Sequence, residues 1–369
     1  MGAGVAGCAI AWELASRGVA VQVIDPRGIG KGATGASAGI LAPRIEGHSP
    51  DLLRLTLCSL GLFDSFIERL RGEGRRKVEY ERSGTLQVAL DDREAAALKG
   101  AAAELASAHI PHSWLEQRHA ARVEPSLSPK ALGGLLIPEH GYVAVSDLVA
   151  ALVAAARSHG VSFVTGQVVA VSGGEPARTI TAQGTLESDV VIVAAGSWSS
   201  EIPADATQPS LTRTPGAVRP APVRPVRGQL IQLRTAARIA SRVIWGTGCY
   251  IVPWHDGTIL VGATVEDVGF DESATVAGVQ GLLAAAVALL PPLERAEFAG
   301  VRVGLRPATS DELPVIGKSS TTPGVIYATG HYRNGVLLAP LTALLVADLV
   351  TESRARTELA LTRPDRLGL

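Results

Sequence analysis

The chain has 369 residues, more than one hydrophobic core usually takes, so two domains, or one with a large inserted layer, are expected. Its 34 Lys and Arg against 35 Asp and Glu leave a net charge of -1 with both signs scattered, which gives no footing for a nucleic-acid or acidic-membrane partner. Three cysteines, Cys8, Cys58 and Cys249, are odd in number and far apart, which fits a reduced, cytoplasmic compartment and neither a disulfide framework nor a metal site.

The chain opens MGAGVAGCAIAWELASRG. Gly2, Gly4 and Gly7 have the spacing of a turn between a buried strand and a helix that receives a dinucleotide pyrophosphate. Only Met1 stands before them, so the first strand of a doubly wound sheet is missing from the sequence as written, and upstream residues forming an apolar strand are expected. No basic stretch followed by an apolar one marks a signal peptide. Residues 5 to 17 read as a helix, Gly18 suits its left-handed end, and VAVQVID (19 to 25) reads as a buried strand. That strand ends in Asp25, where a carboxylate can accept the hydroxyls of an adenosine ribose; NAD and FAD both carry that ribose.

GIGKGATGASAGILAP (28 to 43) is too flexible for a strand and too apolar for a free linker, and a ligand could order it. Helical spacing runs from 52 to 71 and from 92 to 108, the latter between strands at 84 to 90 and 132 to 137. Helix and strand return at 147 to 160 and 161 to 171. DVVIVAAG (189 to 196) is a continuous apolar run of the kind buried on both faces of a parallel sheet. RTPGAVRPAPVRPVRGQ (213 to 229) reads as a boundary, since prolines at this density exclude helix and central strand alike. Beyond it, YIVPWHDGTILVGAT (250 to 264) suggests antiparallel sheet. The end, GVIYATGHYRNGVLLAPLTALLVADLV (324 to 350), reads as strand, glycine loop and helix, and Pro340 and Asp348 break it short of a membrane span. The fold class expected is α/β: a Rossmann-like nucleotide-binding domain in three segments (1–80, 144–215, 303–369) with an inserted, mainly antiparallel α+β domain (81–143, 216–302).

Only one dinucleotide fingerprint occurs, which argues for a single tightly held cofactor, and the glycines of 32 to 40 and 330 to 338 could wrap the rest of FAD. GAGVAG with Asp25, GASAGILAP (35 to 43), VAAGSWS (193 to 199), RPVRGQ (224 to 229), GCYIVPW (248 to 254), DGTILVGAT (256 to 264), GLRPATSDELPVIG (304 to 317) and GHYRNGVLLAPLTA (330 to 343) together resemble the FAD-dependent D-amino-acid oxidase superfamily. Within it the pattern is most similar to the glycine oxidases of thiamine biosynthesis. The resemblance implies that Gly2, Gly4, Val5, Ala6 and Gly7 receive the pyrophosphate and that Asp25, with Pro26 beside it, takes the ribose. It further places Ala33, Thr34, Ala38, Gly39 and Ile40 along the pyrophosphate and flavin, Val168 at the adenine, and Gly196 and Gly330 in the cofactor loops. His331, Tyr332, Arg333, Asn334, Gly335, Val336 and Leu337 would line the pyrimidine edge of the flavin, where partial positive charge stabilises the reduced ring.

For the substrate, the resemblance makes Arg306 a bidentate clamp on an amino-acid carboxylate, with Tyr250 and Arg333 as further donors. The reaction it implies moves a hydride from the amine-bearing carbon to flavin N5, and O2 is then reduced to H2O2. The resulting imine hydrolyses or, from glycine, feeds thiazole synthesis. The FAD is expected to be non-covalent, because no cysteine follows Cys249. No metal is expected, and the partners are a small amino acid and O2, with no nucleic acid or membrane and a homo-oligomer left open. Gly248 stands where glycine oxidases can carry a histidine, so glycine, sarcosine and small D-amino acids stay unranked. The alternatives are a D-amino-acid or sarcosine oxidase or dehydrogenase with another acceptor, the oxidoreductase half of an RNA-modifying protein, or a flavin-binding module left inactive by N-terminal truncation.

Overall fold

The first helix, α1 (Val5–Ser16), is apolar on nearly every side and is buried accordingly, with every residue from Cys8 to Ala15 shielded from water. Trp12 packs edge-on against Phe66, 5.2 Å between ring centroids, and donates to Glu73 at 2.6 Å. Glu13, 7% exposed, is compensated by Arg17 and Arg69, and Arg17 also reaches the buried Asp348 at 2.7 Å, tying the first helix to the last long one.

The computed structural model describes residues 1–45, 47–202, 218–352 and 356–369. After α1 come β1 (Gln22–Asp25), β2 (Ile40–Leu41), α2 (Pro50–Gly74), β3 (Tyr80–Glu81), β4 (Thr85–Ala89), α3 (Asp92–Ser107), β5 (Ser113–Glu116), α4 (Gln117–Val123), β6 (Gly133–Ile137) and β7 (Gly141–Val143). Then follow α5 (Val145–Ser158), β8 (Ser162–Thr165), the meander β9 (Val168–Ser172), β10 (Ala177–Thr181) and β11 (Gly184–Ser188), and β12 (Val191–Val193). The rest is β13 (Arg224–Arg234), β14 (Val243–Gly246), β15 (Cys249–Pro253), β16 (Thr258–Gly262), α6 (Val276–Leu289), β17 (Glu297–Ala308), β18 (Val315–Lys318), β19 (Val325–Thr329), α7 (Ala339–Thr351) and α8 (Leu359–Thr362). Local chemistry sets several ends. At α2 the Ser49 hydroxyl accepts from the Leu52 amide and Pro50 opens the first turn, while Leu55, Phe63, Ile67 and Leu70 form its buried stripe.

The chain is an α/β protein. β1 pairs with β8 in parallel, β12 pairs with β19 in parallel, and β18 joins β19 antiparallel, with α1, α5 and α7 packed around them. Between these two small sheets run Met1–Ala3. The Gly2 amide donates to Ile24 O at 2.8 Å, Met1 O accepts from the Ala194 amide at 2.9 Å, and the Met1 amine donates to Ile192 O at 2.9 Å. Val21 on one side and Ile192 on the other are only partly buried against the cluster of Ile10, Leu14 and Leu341.

The second layer is an eight-stranded, mainly antiparallel sheet in the order β17-β13-β16-β15-β14-β4-β6-β5, in which β14 and β4 run parallel. Its apolar face packs on α6 through Ile231, Ile251, Leu282 and Leu289. Two expectations change here. The end of the proline and arginine stretch is not excluded from a central strand, because β13 begins at Arg224 and lies between β17 and β16. Pro225 is tolerated because it faces Pro307 at the end of the ladder, where the β16 pairing of Leu230–Arg234 has not begun. The run 161 to 171 is two strands in different sheets, parted at Gly166. Residues 213–217 of the proline and arginine stretch, and the domain boundary expected at 215/216, lie outside the described residues.

Candidate active site

A cavity of about 900 Å³ is lined from both layers. On the nucleotide-binding side the wall includes the start of α1. Gly4 caps that helix in an extended conformation with no side-chain partner. The Val5 amide donates to Thr34 Oγ1 at 3.0 Å, whereas the amides of Gly4 and Ala6 have no acceptor among the described residues. Open amides at a helix start, with the helix dipole behind them, are an anion site. The glycines are steric necessities. A Cβ on Gly7 would stand 2.0 Å from Gly2 O, and one on Gly2, whose φ is +103°, 2.3 Å from Ala194 O. Gly7 thus holds the helix against the backbone before it and does not itself line the cavity.

Asp25 closes β1 and lines the cavity. Its Oδ2 accepts from the Ala3 amide at 2.7 Å and its Oδ1 from those of Arg27 and Gly28 at 2.8 and 3.0 Å. Those bonds use most of a carboxylate's roughly four acceptor positions, leaving about one for a ligand hydroxyl. Pro26, Ala33, Thr34, Ala38, Gly39, Ile40, Val168 and Gly196 are all on the wall. Gly39, at φ +73°, has no room for a Cβ, which would stand 1.9 Å from Val143 O.

Residues 331 to 337 complete this side. His331 is 5% exposed and shares a 2.9 Å hydrogen bond with Thr342 Oγ1; burial pushes its pKa down to about 4, so the ring is neutral at pH 7. Its carbonyl accepts from the Asn334 amide, and the Tyr332 amide donates to Pro307 O, which locks the loop to the end of β17. Gly330 is not on the wall; it turns the chain at φ +74°, with Thr309 Cγ2 only 2.8 Å from where a Cβ would stand. The exposed Arg333 guanidinium lies over the Tyr332 ring at 5.1 Å, at the cavity's rim.

The eight-stranded sheet supplies the opposite wall. Tyr250, on β15, lies 5.2 Å from Trp245 between ring centroids. Its phenol fills the space over Gly262, where a Cβ would approach the hydroxyl to 2.4 Å. Arg306, near the end of β17, is half-buried, and its Nη1 donates to Thr264 O at 3.0 Å and Arg227 O at 3.3 Å. Its Nη2 and Nε have no acceptor, and no carboxylate pairs with it, among the described residues. Cys249 also lines the cavity, but burial pushes its thiol up to about 12, which keeps it protonated and unreactive. Gly248 sits in the two-residue turn between β14 and β15 at φ +89°, a position that favours glycine over histidine.

Several wall residues were not singled out from the sequence, among them Trp198, Trp245, Gly228, Gly262 and Gly304. The three glycines fall within the segments RPVRGQ, DGTILVGAT and GLRPAT. What sequence order hides is that they belong to three adjacent strands.

The profile of the DAO family, FAD dependent oxidoreductase, matches residues 1–349. The chain belongs to this family. As an FAD-dependent oxidoreductase it takes FAD as its cofactor, and the open amides of Gly4 and Ala6, the remaining capacity of Asp25 and the Cβ-free stretch at Gly39 fit that group. The oxidoreductase is similar to the glycine oxidase of Geobacillus kaustophilus, 34% identical over 98% of this chain and 94% of that protein. It is also similar to the bifunctional protein ThiO/ThiG of Nostoc, 35% identical over 96% of this chain, and spans 52%, about half, of that relative's length. The crystal structure of the Geobacillus kaustophilus glycine oxidase superposes with a TM-score of 0.88 at 33% identity, covering 98% of this chain and 96% of that one.

Proposed function

We propose that this FAD-dependent oxidoreductase oxidises glycine, and with it sarcosine or small D-amino acids, to the imine, with O2 as the electron acceptor and H2O2 as its product. The observation that carries the reading is Arg306, a half-buried guanidinium on the cavity wall with Nη2 and Nε unmatched by any acceptor among the described residues. A cation so placed is completed by a carboxylate held through two parallel hydrogen bonds, which fixes rotation as well as position. Tyr250 and, from the rim, Arg333 add donors around the same ligand. Bound FAD supplies a two-electron acceptor for the hydride on the substrate's amine-bearing carbon.

The protein's part is to bind and orient. Arg306 holds the carboxylate, the Tyr250 ring walls the pocket, and the buried, neutral His331 adds no charge of its own to the cavity wall. Loss of one hydride and one N–H proton leaves the imine, and water converts it to an oxo acid and ammonia. No strong base is needed, because positioning within about 3–3.5 Å supplies much of the acceleration.

In this reading residues 81–143 and 216–302 form the substrate domain, the FAD is non-covalent, and the imine of glycine is used for thiazole synthesis in the cytoplasm. The likeness to the two relatives above, a glycine oxidase and a bifunctional ThiO/ThiG protein, supports it. No helix among the described residues is long and apolar enough to cross a membrane. The test is anaerobic addition of glycine to the FAD-loaded protein, followed by a panel of amino acids with peroxide detection. Bleaching by glycine and oxygen-dependent peroxide are expected; absence of bleaching, or turnover of D-phenylalanine equal to that of glycine, overturns the proposal.

A further inference from the structure

The backbone of β13 carries Arg227, Gly228 and Gln229 on alternating faces. Gly228 faces the cavity, while Arg227 is 4% exposed and, like Gln229, is not on the cavity wall. Strand register puts Val226 opposite Arg306 and Gly228 opposite Gly304, so the Arg306 side chain lies across Gly228. A Cβ there would stand 2.2 Å from Nη2 and 2.4 Å from Cζ.

On the sheet's other face the side chains form a closed network. Arg227 donates to Glu266 Oε2 from Nε at 3.1 Å and to Asp271 from Nη1 at 2.5 Å. The other Glu266 oxygen accepts from Thr264 Oγ1 and from Gln229 Nε2 at 2.7 Å. The backbones of Arg227 and Glu266 exchange both hydrogen bonds, at 2.9 and 3.0 Å. The two carbonyls that accept from Arg306, those of Arg227 and Thr264, therefore belong to segments that the Arg227–Glu266 pair ties together.

We propose that Arg227, Gly228 and Glu266 are positioning residues for Arg306: the ion pair on the far face fixes the two carbonyls that orient the guanidinium, and the missing side chain at Gly228 leaves the plane on which it lies. The side chains of Arg227 and Glu266 are not on the cavity wall, and Gly228 has none. Hydrogen bonds from Thr264, Arg227 and Gln229 hold the Glu266 carboxyl below its usual range against the opposing effect of burial, so the pair stays charged at neutral pH. The inference rests on the reading of Arg306 as the carboxylate clamp.

The experiment uses the FAD-loaded protein and acetate as a carboxylate that cannot be oxidised, with binding read from the flavin absorbance. Gly228→Ala and Glu266→Gln are each expected to weaken acetate, and to raise KM for glycine more than they change kcat, by about tenfold, within the range for coupled neighbours. FAD content and Tm should stay near those of the unaltered protein. In an Arg306→Ala background the same substitutions should change acetate binding by less than about twofold, because the group they position is gone. Full additivity with Arg306→Ala, or unaltered acetate binding in both single variants while Arg306→Ala loses it, overturns the positioning role and leaves the clamp standing. Unaltered binding in Arg306→Ala itself overturns the clamp and, with it, the positioning role. Should Glu266→Gln fail to fold, Gly228→Ala carries the test, and loss of FAD from both variants would assign these residues to structure alone.

Discussion

Replacing Gly7 with Ala tests whether the opening glycines work by steric fit with the backbone before them. The added Cβ would meet Gly2 O at 2.0 Å, where ordinary contact needs 3.4 Å, and the opposing atom is backbone that cannot rotate away. Helix α1 and Gly2 must separate by more than an ångström. Overpacking of this kind costs about 1–3 kcal/mol. The displaced segment includes the Gly4 and Ala6 amides on the cavity wall, so FAD affinity should fall about tenfold to a hundredfold, taking about 1.4 kcal/mol per decade. The assay is FAD content on purification, Kd from flavin fluorescence on reloading, and Tm with and without FAD. Two controls separate fit from mere loss of glycine. Gly61→Ala, on a helix with nothing within 4 Å of the new atom, should leave FAD affinity unchanged and stabilise by up to about 1 kcal/mol. Gly18→Ala, also uncrowded but at φ +82°, should lower Tm through left-handed strain of about 1–2 kcal/mol without touching FAD. Native FAD affinity and Tm in Gly7→Ala would refute the reasoning.

Arg306→Ala should cost several kcal/mol in kcat/KM for glycine, about 3–5 if a buried charge pair is broken, and Arg306→Lys should recover little because an ammonium lacks the fork; near-native steady-state kinetics in either would contradict the clamp. Burial holds His331 at about 4, and burial with Arg44 and Arg82 nearby holds His140 at about 3, against about 6.5 when unfolded. Both folded values are depressed, so the unfolded chain takes up protons that the folded one refuses, and stability falls as pH drops from about 6.5 toward about 4 for His331 and about 3 for His140, with no contribution above that window. Denaturant titrations at several pH values should show this slope, and His140→Gln should flatten it; an unchanged slope would remove His140 as a cause.

Local features of this protein were legible in its sequence because the physics behind them is local. The helix expected over residues 5 to 17 is α1, the helical spacing from 52 to 71 falls within α2, and the glycine spacing with Asp25 marked a helix start beside a carboxylate. The family followed from motifs spread along the chain, and nearly all of the residues they pointed to line one cavity. Pairing across distance was not legible. Pro225 argued against a central strand until the register placed it opposite Pro307, at a ladder end where an absent amide forfeits nothing. Gly228 reads as one more glycine until the same register lays the Arg306 guanidinium across it. Arg227 looks like a scattered surface charge until β13 turns its side chain under the sheet onto Glu266 and Asp271. A strand's own sequence tells which residues share a face, but which face is buried, and what lies opposite, depends on a partner strand, here eighty residues away from Val226 to Arg306, and only the folded sheet decides it.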